Sequence, residues 1–228
     1  MRTVEVKQGI LSKNDRLAQK LRQRFETSGV FALNLVSSPG TGKTELLQRT
    51  LSELGERGWK VGALVGDLQT DNDARRLSRS GAPVRQITTS GICHLEAGMV
   101  EAHLRDWELE ALDFLFIENV GNLVCPSSFD LGEQVRVVLL SVTEGEDKPL
   151  KYPPIFSSAH VAVITKADLA EPCEFQADLA YDNIRSVHPD IAILTTSART
   201  GQGFSEWLDH LIRQRQAWLD EKKGAATV

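Results

Sequence analysis

No stretch of this sequence is apolar for the ~20 residues that a bilayer-spanning helix needs, and uninterrupted apolar runs such as 137–140 are far shorter. Three cysteines in 228 residues form neither an even set nor a dense framework, which excludes a disulfide-stapled secreted scaffold. No basic run appears, net charge is −5 and the isoelectric point is about 5.6, which argues against a nucleic-acid footprint. Residues 1–30 carry Arg2, Lys7, Lys13, Arg16 and Lys20 without an apolar core, so no secretory leader is expected there. Internal repeats, linkers and low-complexity segments are also missing. These absences lead us to expect a reduced, cytoplasmic protein. Hydrophobic content of 41% and charged content of 25% are ordinary for a globular chain, and the length suits one α/β domain over 1–228.

What is present is organised around Ser37-Ser38-Pro39-Gly40-Thr41-Gly42-Lys43-Thr44. The apolar run 31–36 leads in, and an amphipathic segment from Glu45 to Leu54 leads out, which is the strand, loop and helix of a phosphate-binding loop. Backbone N–H groups around Gly40, Thr41 and Gly42, with those opening the helix at Glu45, can converge on phosphates. Lys43 reaches the β- and γ-phosphates in such a loop, and the Thr44 hydroxyl binds Mg²⁺. The strict motif asks for glycine at the place filled by Ser37.

Taken in order, 10–28 reads as an amphipathic edge helix with Leu17, Leu21 and Phe25 four apart and a cap within 12–15. A strand at 59–65 delivers Gly66-Asp67-Leu68-Gln69-Thr70-Asp71-Asn72-Asp73, whose carboxylates at Asp67 and Asp73 suit Mg²⁺ directly or through water. A strand at 84–88 precedes Ser90-Gly91-Ile92-Cys93-His94. The continuous apolar run 114–117 suits a buried parallel strand and ends in Glu118, an acidic residue within reach of the Mg²⁺ shell. Further strands are expected at 134–143, 160–165 and 191–196, helices at 174–187 and 204–219, and a fraying tail at 220–228. Strands and helices alternate, so the expected fold is a doubly wound, mostly parallel α/β sheet of the P-loop NTPase type, resembling SIMIBI G domains. Every motif falls at a strand end, where such sheets gather ligands.

Thr165-Lys166-Ala167-Asp168 resembles the guanine-reading Asn-Lys-x-Asp motif of GTPases. One carboxylate, Asp168, can accept from both N1–H and the exocyclic amino group of guanine, and the Lys166 stem can lie over the base. Ser197-Ala198 resembles the later loop whose backbone N–H meets the guanine oxygen. Thr165 in place of Asn loses an amide that braces the loop.

Thiolate and imidazole at Cys93, His94 and Cys125 suit Zn²⁺ or Ni²⁺. From spacing alone, metal binding and unrelated structural cysteines stay equally open, and three ligands leave a tetrahedral shell for a second subunit to complete. The strings Ser-Ser-Pro-Gly-Thr-Gly-Lys-Thr, Gly-Asp-Leu-Gln-Thr-Asp-Asn-Asp-Ala, Cys-His-Leu-Glu-Ala and Glu-Asn-Val-Gly-Asn-Leu-Val-Cys-Pro resemble the HypB-type hydrogenase nickel-incorporation GTPases. The likeness runs from about 10 to 215, and serine at the position of Ser37 is common in that family. The resemblance implies a nucleotide-dependent homodimer with an interfacial metal site at Cys93, His94 and Cys125. It implies Mg²⁺-associated carboxylates at Asp73 and Glu118, so Lys43, Asp73 and Glu118 form the expected catalytic set. It implies nickel delivery toward [NiFe]-hydrogenase large-subunit precursors with a small nickel- and zinc-binding partner. Cys93 is the first cysteine and the five histidines are scattered, so a separate nickel store is not expected here. Glu96 stands where Asp is usual, and His103 and Cys173 are left out of the ligand set.

The expected mechanism is a switch in which GTP and Mg²⁺ order the segments 67–73 and 118–122, and hydrolysis releases them. No arginine is nominated by sequence as a finger in cis, so hydrolysis is expected to be slow without a partner. A urease- or cobalamin-type accessory GTPase is the alternative, though it would not show the 118–126 string. A metal-binding scaffold with vestigial hydrolysis is the other.

Overall fold

The computed structural model describes residues 2–67 and 72–225. The long first helix α1 (Arg2–Ser28) precedes β1 (Phe31–Ser37), and α2 (Lys43–Glu56) leads to β2 (Val61–Asp67). Next come α3 (Asn72–Leu77), β3 (Val84–Thr88), α4 (Ala97–His103) and β4 (Phe114–Glu118). β5 (Val135–Ser141) precedes two short helices, α5 (Lys148–Lys151) and α6 (Pro153–Ser157). β6 (Val161–Thr165), α7 (Ala177–Val187), β7 (Ala192–Thr195) and α8 (Phe204–Ala225) complete the chain.

The strands form one sheet in the order β3-β2-β4-β1-β5-β6-β7, and every pairing is parallel rather than mostly so. β1, β4, β5 and β6 are buried throughout, as their largely apolar sequences require of strands covered on both faces. Register aligns the chemistry: Leu35 and Val65 both face Glu118, so the ends of β1, β2 and β4 lie in one row. β1 sits between β4 and β5, the point where the sheet order reverses and a ligand crevice opens.

One face packs Leu46, Leu47, Leu51 and Leu54 of α2 against Phe204, Trp207, Leu208 and Leu211 of α8. On the other, Ala18, Leu21 and Phe25 of α1 and Val100 of α4 cover Ala32, Leu64, Leu115 and Ile117. Helix α1 therefore lies on the sheet face rather than at an edge, and it begins near Arg2 instead of residue 10. The stretch 12–15 is helix interior, and its Asn14 caps another helix: Asn14 Oδ1 accepts from the Ala97 N–H opening α4 (2.9 Å). Nor does the tail fray over 220–225. Trp218 packs on Phe31 with ring centroids 5.5 Å apart, and Lys222 Nζ donates to the Glu26 carbonyl, so α8 continues to Ala225.

β4 and β5 are joined by a long loop holding a 3₁₀ turn (Cys125–Ser128) instead of a crossover α-helix. Long irregular connections inside such a sheet are uncommon and tend to serve a site. Trp207 is the largest fully buried side chain, and its Nε1–H donates to Thr50 Oγ1 (2.9 Å), joining α8 to α2. Trp207→Ala should lower the unfolding free energy by about 3–5 kcal/mol in urea denaturation.

Candidate functional site

Gly42 has φ 95°, a left-handed turn that lets the chain leave β1 and open α2 at Lys43. Lys43 is buried, with Nζ donating to Ser37 Oγ (3.3 Å) and lying 3.9 Å from Glu118 Oε1. The serine at the first motif position thus holds the lysine that phosphate would recruit. Thr44 Oγ1 donates to Glu118 Oε1 at 2.7 Å.

Glu118 is 2% exposed. Burial pushes its carboxyl up from the ordinary range; Lys43 and Thr44 hold it down, and Asp73 and Asp67 push it further up. Its second oxygen, Oε2, is buried without a hydrogen-bond partner. A buried, unsatisfied carboxylate oxygen beside a serviceable hydroxyl is a donor set that a hard divalent cation completes. Asp67 and Asp73 line the same cleft, of about 420 Å³, with residues 39–45, Arg76 and 118–121. Glu118, Asp67 and Asp73 line this cleft without closing to the 4.8 Å mutual spacing of the Cys93, His94 and Cys125 cluster described below. Residues 68–71 of the acidic loop, Asp71 included, lie outside the described residues.

A second cavity of about 220 Å³ adjoins the first, sharing Thr41, Gly42 and Glu45 and adding Thr165, Lys166, Asp168, Ser197 and Ala198. Residues 40–45 of the phosphate motif, and Lys166, Asp168, Ser197 and Ala198 of the base motif, therefore line one or other of two adjoining cavities. Lys166 adopts φ 58° and its Nζ donates to the Gly40 carbonyl (2.7 Å), laying its stem across the phosphate loop. Thr165, which lacks the bracing amide of Asn, supplies a brace through its hydroxyl: its Oγ1 donates to the Thr41 carbonyl at 2.7 Å. Ser197 Oγ donates to Asp168 Oδ1 (2.5 Å), fixing that carboxylate. Its N–H donates to the Gln202 carbonyl (2.9 Å), so within this loop Ser197 itself acts through its hydroxyl. Arg49, not singled out in the sequence, holds the loop by donating from Nη1 to the Ala198 carbonyl (2.8 Å).

Cys93, His94 and Cys125 converge from two loops, with ligand atoms all within 4.8 Å, the one such cluster among the described residues. The two sulfurs are 2.8 Å apart, and Cys93 Sγ is 3.9 Å from His94 Nδ1. The His94 ring packs on Phe129 at 3.9 Å between centroids. Burial lowers its pKa, against the pull of Glu96, and so favours the neutral imidazole that can ligate. The neighbouring Cys93 thiol, then burial, push the Cys125 thiol up. His103 stays apart, its Nδ1 2.8 Å from the Met99 carbonyl, and Cys173 is exposed elsewhere.

Three asparagines tie these places together. Asn119 follows Glu118, and its Oδ1 accepts from Leu95 N–H (3.0 Å), the residue after His94, and from Val120 N–H (3.0 Å). Its Nδ2 donates to Asn34 Oδ1 (3.3 Å), and Asn34 Nδ2 donates to Glu133 Oε1 (3.1 Å). Arg136 bonds Glu133 (2.9 Å) and the Phe129 carbonyl (3.0 Å), returning the network to the His94 ring. Asn122 Nδ2 adds a bond to the Cys93 carbonyl (3.3 Å). Gly121 lies so close to the phosphate loop that a Cβ there would meet Pro39 Cα at 3.1 Å. An asparagine inside the apolar run 31–36 was the available signal for Asn34, since a buried amide needs a partner.

A parallel sheet with a phosphate loop at its switch point and a second cavity beside it defines a P-loop nucleotide-binding protein. Residues 31–195 match the family described as CobW/HypB/UreG, nucleotide-binding domain. The chain is 50% identical over 220 residues to the hydrogenase maturation factor HypB of Azotobacter chroococcum mcd 1, covering 96% of this chain and 71% of that one. It is 46% identical over 216 residues to the HypB of Escherichia coli K12, covering 95% and 74%. The crystal structure of HypB from Helicobacter pylori in complex with nickel superposes with a TM-score of 0.85 at 40% identity, covering 90% of this chain and 96% of that one. The chain belongs to the HypB hydrogenase maturation factors.

Glu118 gives a pH-dependent prediction. Because its folded-state pKa is raised, the neutral acid is favoured by folding, and that stability is lost as pH rises through the folded pKa. Glu118→Gln should therefore raise the melting temperature of the nucleotide- and metal-free protein at pH 7.5. The advantage should shrink as pH falls through the raised pKa toward the ordinary glutamate value, followed by thermal melts across pH.

Proposed function

We propose that this chain, as a single G domain, binds and hydrolyses GTP and couples its nucleotide state to an interfacial nickel site during [NiFe]-hydrogenase maturation in the cytoplasm. The observation that carries the reading is that one strand exit, 118–125, contributes Glu118 to the phosphate cleft and Cys125 to the thiolate–imidazole cluster.

Asp168, held by Ser197, accepts from the guanine N1–H and amino group, and the Ala198 N–H meets the guanine oxygen. Lys166 covers the base, and Glu45 lines the boundary where base and phosphate cavities meet. Gly40, Thr41 and Gly42 wrap the phosphates, and Lys43 swings from Ser37 to the β- and γ-oxygens. Thr44 and Glu118 would hold Mg²⁺, with Asp67 and Asp73 nearby; the ion neutralises phosphate charge. Glu118 must then be ionised, and the cation supplies the compensation that burial denies it.

Cys93, His94 and Cys125 bind Ni²⁺ or Zn²⁺ as part of a shell completed across a homodimer two-fold axis. Ile92 and Val124, apolar and exposed beside the ligands, support a protein–protein contact there. Nickel passes from this site, with a small nickel- and zinc-binding partner, to the hydrogenase large-subunit precursor.

GTP turnover and Ni²⁺ titration on the same preparations test the reading. Lys43→Ala should reduce kcat by about a hundredfold or more, and Cys125→Ala should abolish stoichiometric Ni²⁺ binding, read as one ion per two chains by native mass spectrometry. A wild type without turnover would leave only the scaffold alternative, and a Cys125→Ala protein that binds Ni²⁺ normally would remove the metal assignment.

A further inference from the structure

We propose that Arg76 is a further catalytic residue, a guanidinium supplied in cis to stabilise charge on the transferred phosphoryl group. The proposal rests on reading the 420 Å³ cleft as the GTP phosphate site.

Four observations carry it. Arg76 lines the phosphate cleft but not the adjoining base cavity, so it lies at the phosphate end of the ligand. It follows Asp73 by three residues on α3, which puts both side chains on the same helix face. Leu77, fully buried in the core cluster that includes Leu47 and Leu51 of α2, anchors that helix to the one leaving the phosphate loop. Finally, Arg76 is exposed and, like several other surface arginines, makes no hydrogen bond or ion pair among the described residues, so its guanidinium is free to meet a ligand in the cleft it lines.

The charge balance of the cleft explains why a second cation belongs there. Lys43 and Arg76 are its two cationic lining residues, set against Glu45, Asp67, Asp73 and Glu118. Lys43 is already shared with Glu118. In hydrolysis, a bond forms from water oxygen to the γ-phosphorus and the bond from that phosphorus to the β–γ bridging oxygen breaks. The electron pair goes to the β-phosphate, and the water proton ends on the released phosphate. Arg76 exchanges no proton, because guanidinium stays charged; its N–H groups bond the oxygens on which negative charge grows. This fills the role for which the sequence nominated no arginine.

The test compares wild type, Arg76→Ala and Arg76→Lys in single-turnover GTP cleavage, with equilibrium binding of a fluorescent GDP and trapping of GDP by aluminium fluoride. Arg76→Ala should slow cleavage by at least about tenfold and weaken aluminium-fluoride trapping, with GDP affinity within about twofold of wild type. Arg76→Lys should recover only part of the rate, since a single ammonium cannot reproduce the planar fork. Cleavage by Arg76→Ala at less than a tenfold deficit, or a deficit matched by equal loss of GDP affinity, would overturn the assignment while leaving the GTPase reading intact. A wild type that binds GDP but cleaves no GTP would overturn both.

Discussion

The side-chain amide of Asn119 is the constraint on which the arrangement depends. It is 1% exposed, and its backbone N–H donates to the Leu35 carbonyl (3.0 Å), so β4 ends against β1 at a fixed point. The amide then holds the N–H after His94 with its oxygen and the Asn34 side chain with its nitrogen. Buried polar groups of this kind are costly when unsatisfied, which makes the network specify one geometry rather than several. A displacement of the segment after Glu118 must therefore strain Leu95 directly. It must also strain Phe129, against which His94 packs, through Asn34, Glu133 and Arg136. The absence of a helix between β4 and β5 permits this: a loop, unlike a crossover helix, can graze Pro39 at Gly121 and still reach Cys93 at Cys125.

The phosphate site stores a complementary cost. Glu118 is a carboxylate in a buried position with one oxygen bonded and one unsatisfied, and three further carboxylates, Glu45, Asp67 and Asp73, line the cleft. Without a cation this is unfavourable to folding, a local sacrifice of stability of the kind found at sites built for a charged ligand. The adjoining cavity shows the opposite design. Thr165, Ser197 and Arg49 spend their donors on holding Thr41, Asp168 and Ala198, so its lining is positioned before any ligand arrives.

Much of this was legible in the chain. The phosphate loop is local chemistry, with two left-handed glycines and a lysine at fixed offsets, and buried parallel strands announce themselves as continuous apolar runs. Cys93, His94 and Cys125 were undecided on spacing alone, because a 32-residue separation says nothing until β3 and β4 are paired with β2 between them. Contacts reaching far along the sequence were invisible for the same reason: Asn14 on Ala97, Asn119 on Leu95, Trp218 on Phe31. Helix ends followed packing rather than propensity, which is why α8 outran its expected stop. Thr165 taught the reverse lesson, since a residue that looked like a loss by comparison with Asn bonds the loop through its hydroxyl.

The most direct measurement is Ni²⁺ affinity in the GDP-bound and GTP-analogue-bound states, for wild type and Asn119→Ala. Joined sites predict affinities that differ by about 5–150-fold in wild type, with the difference collapsing in Asn119→Ala while each ligand still binds alone. Equal Ni²⁺ affinity in both nucleotide states of the wild type would contradict the account.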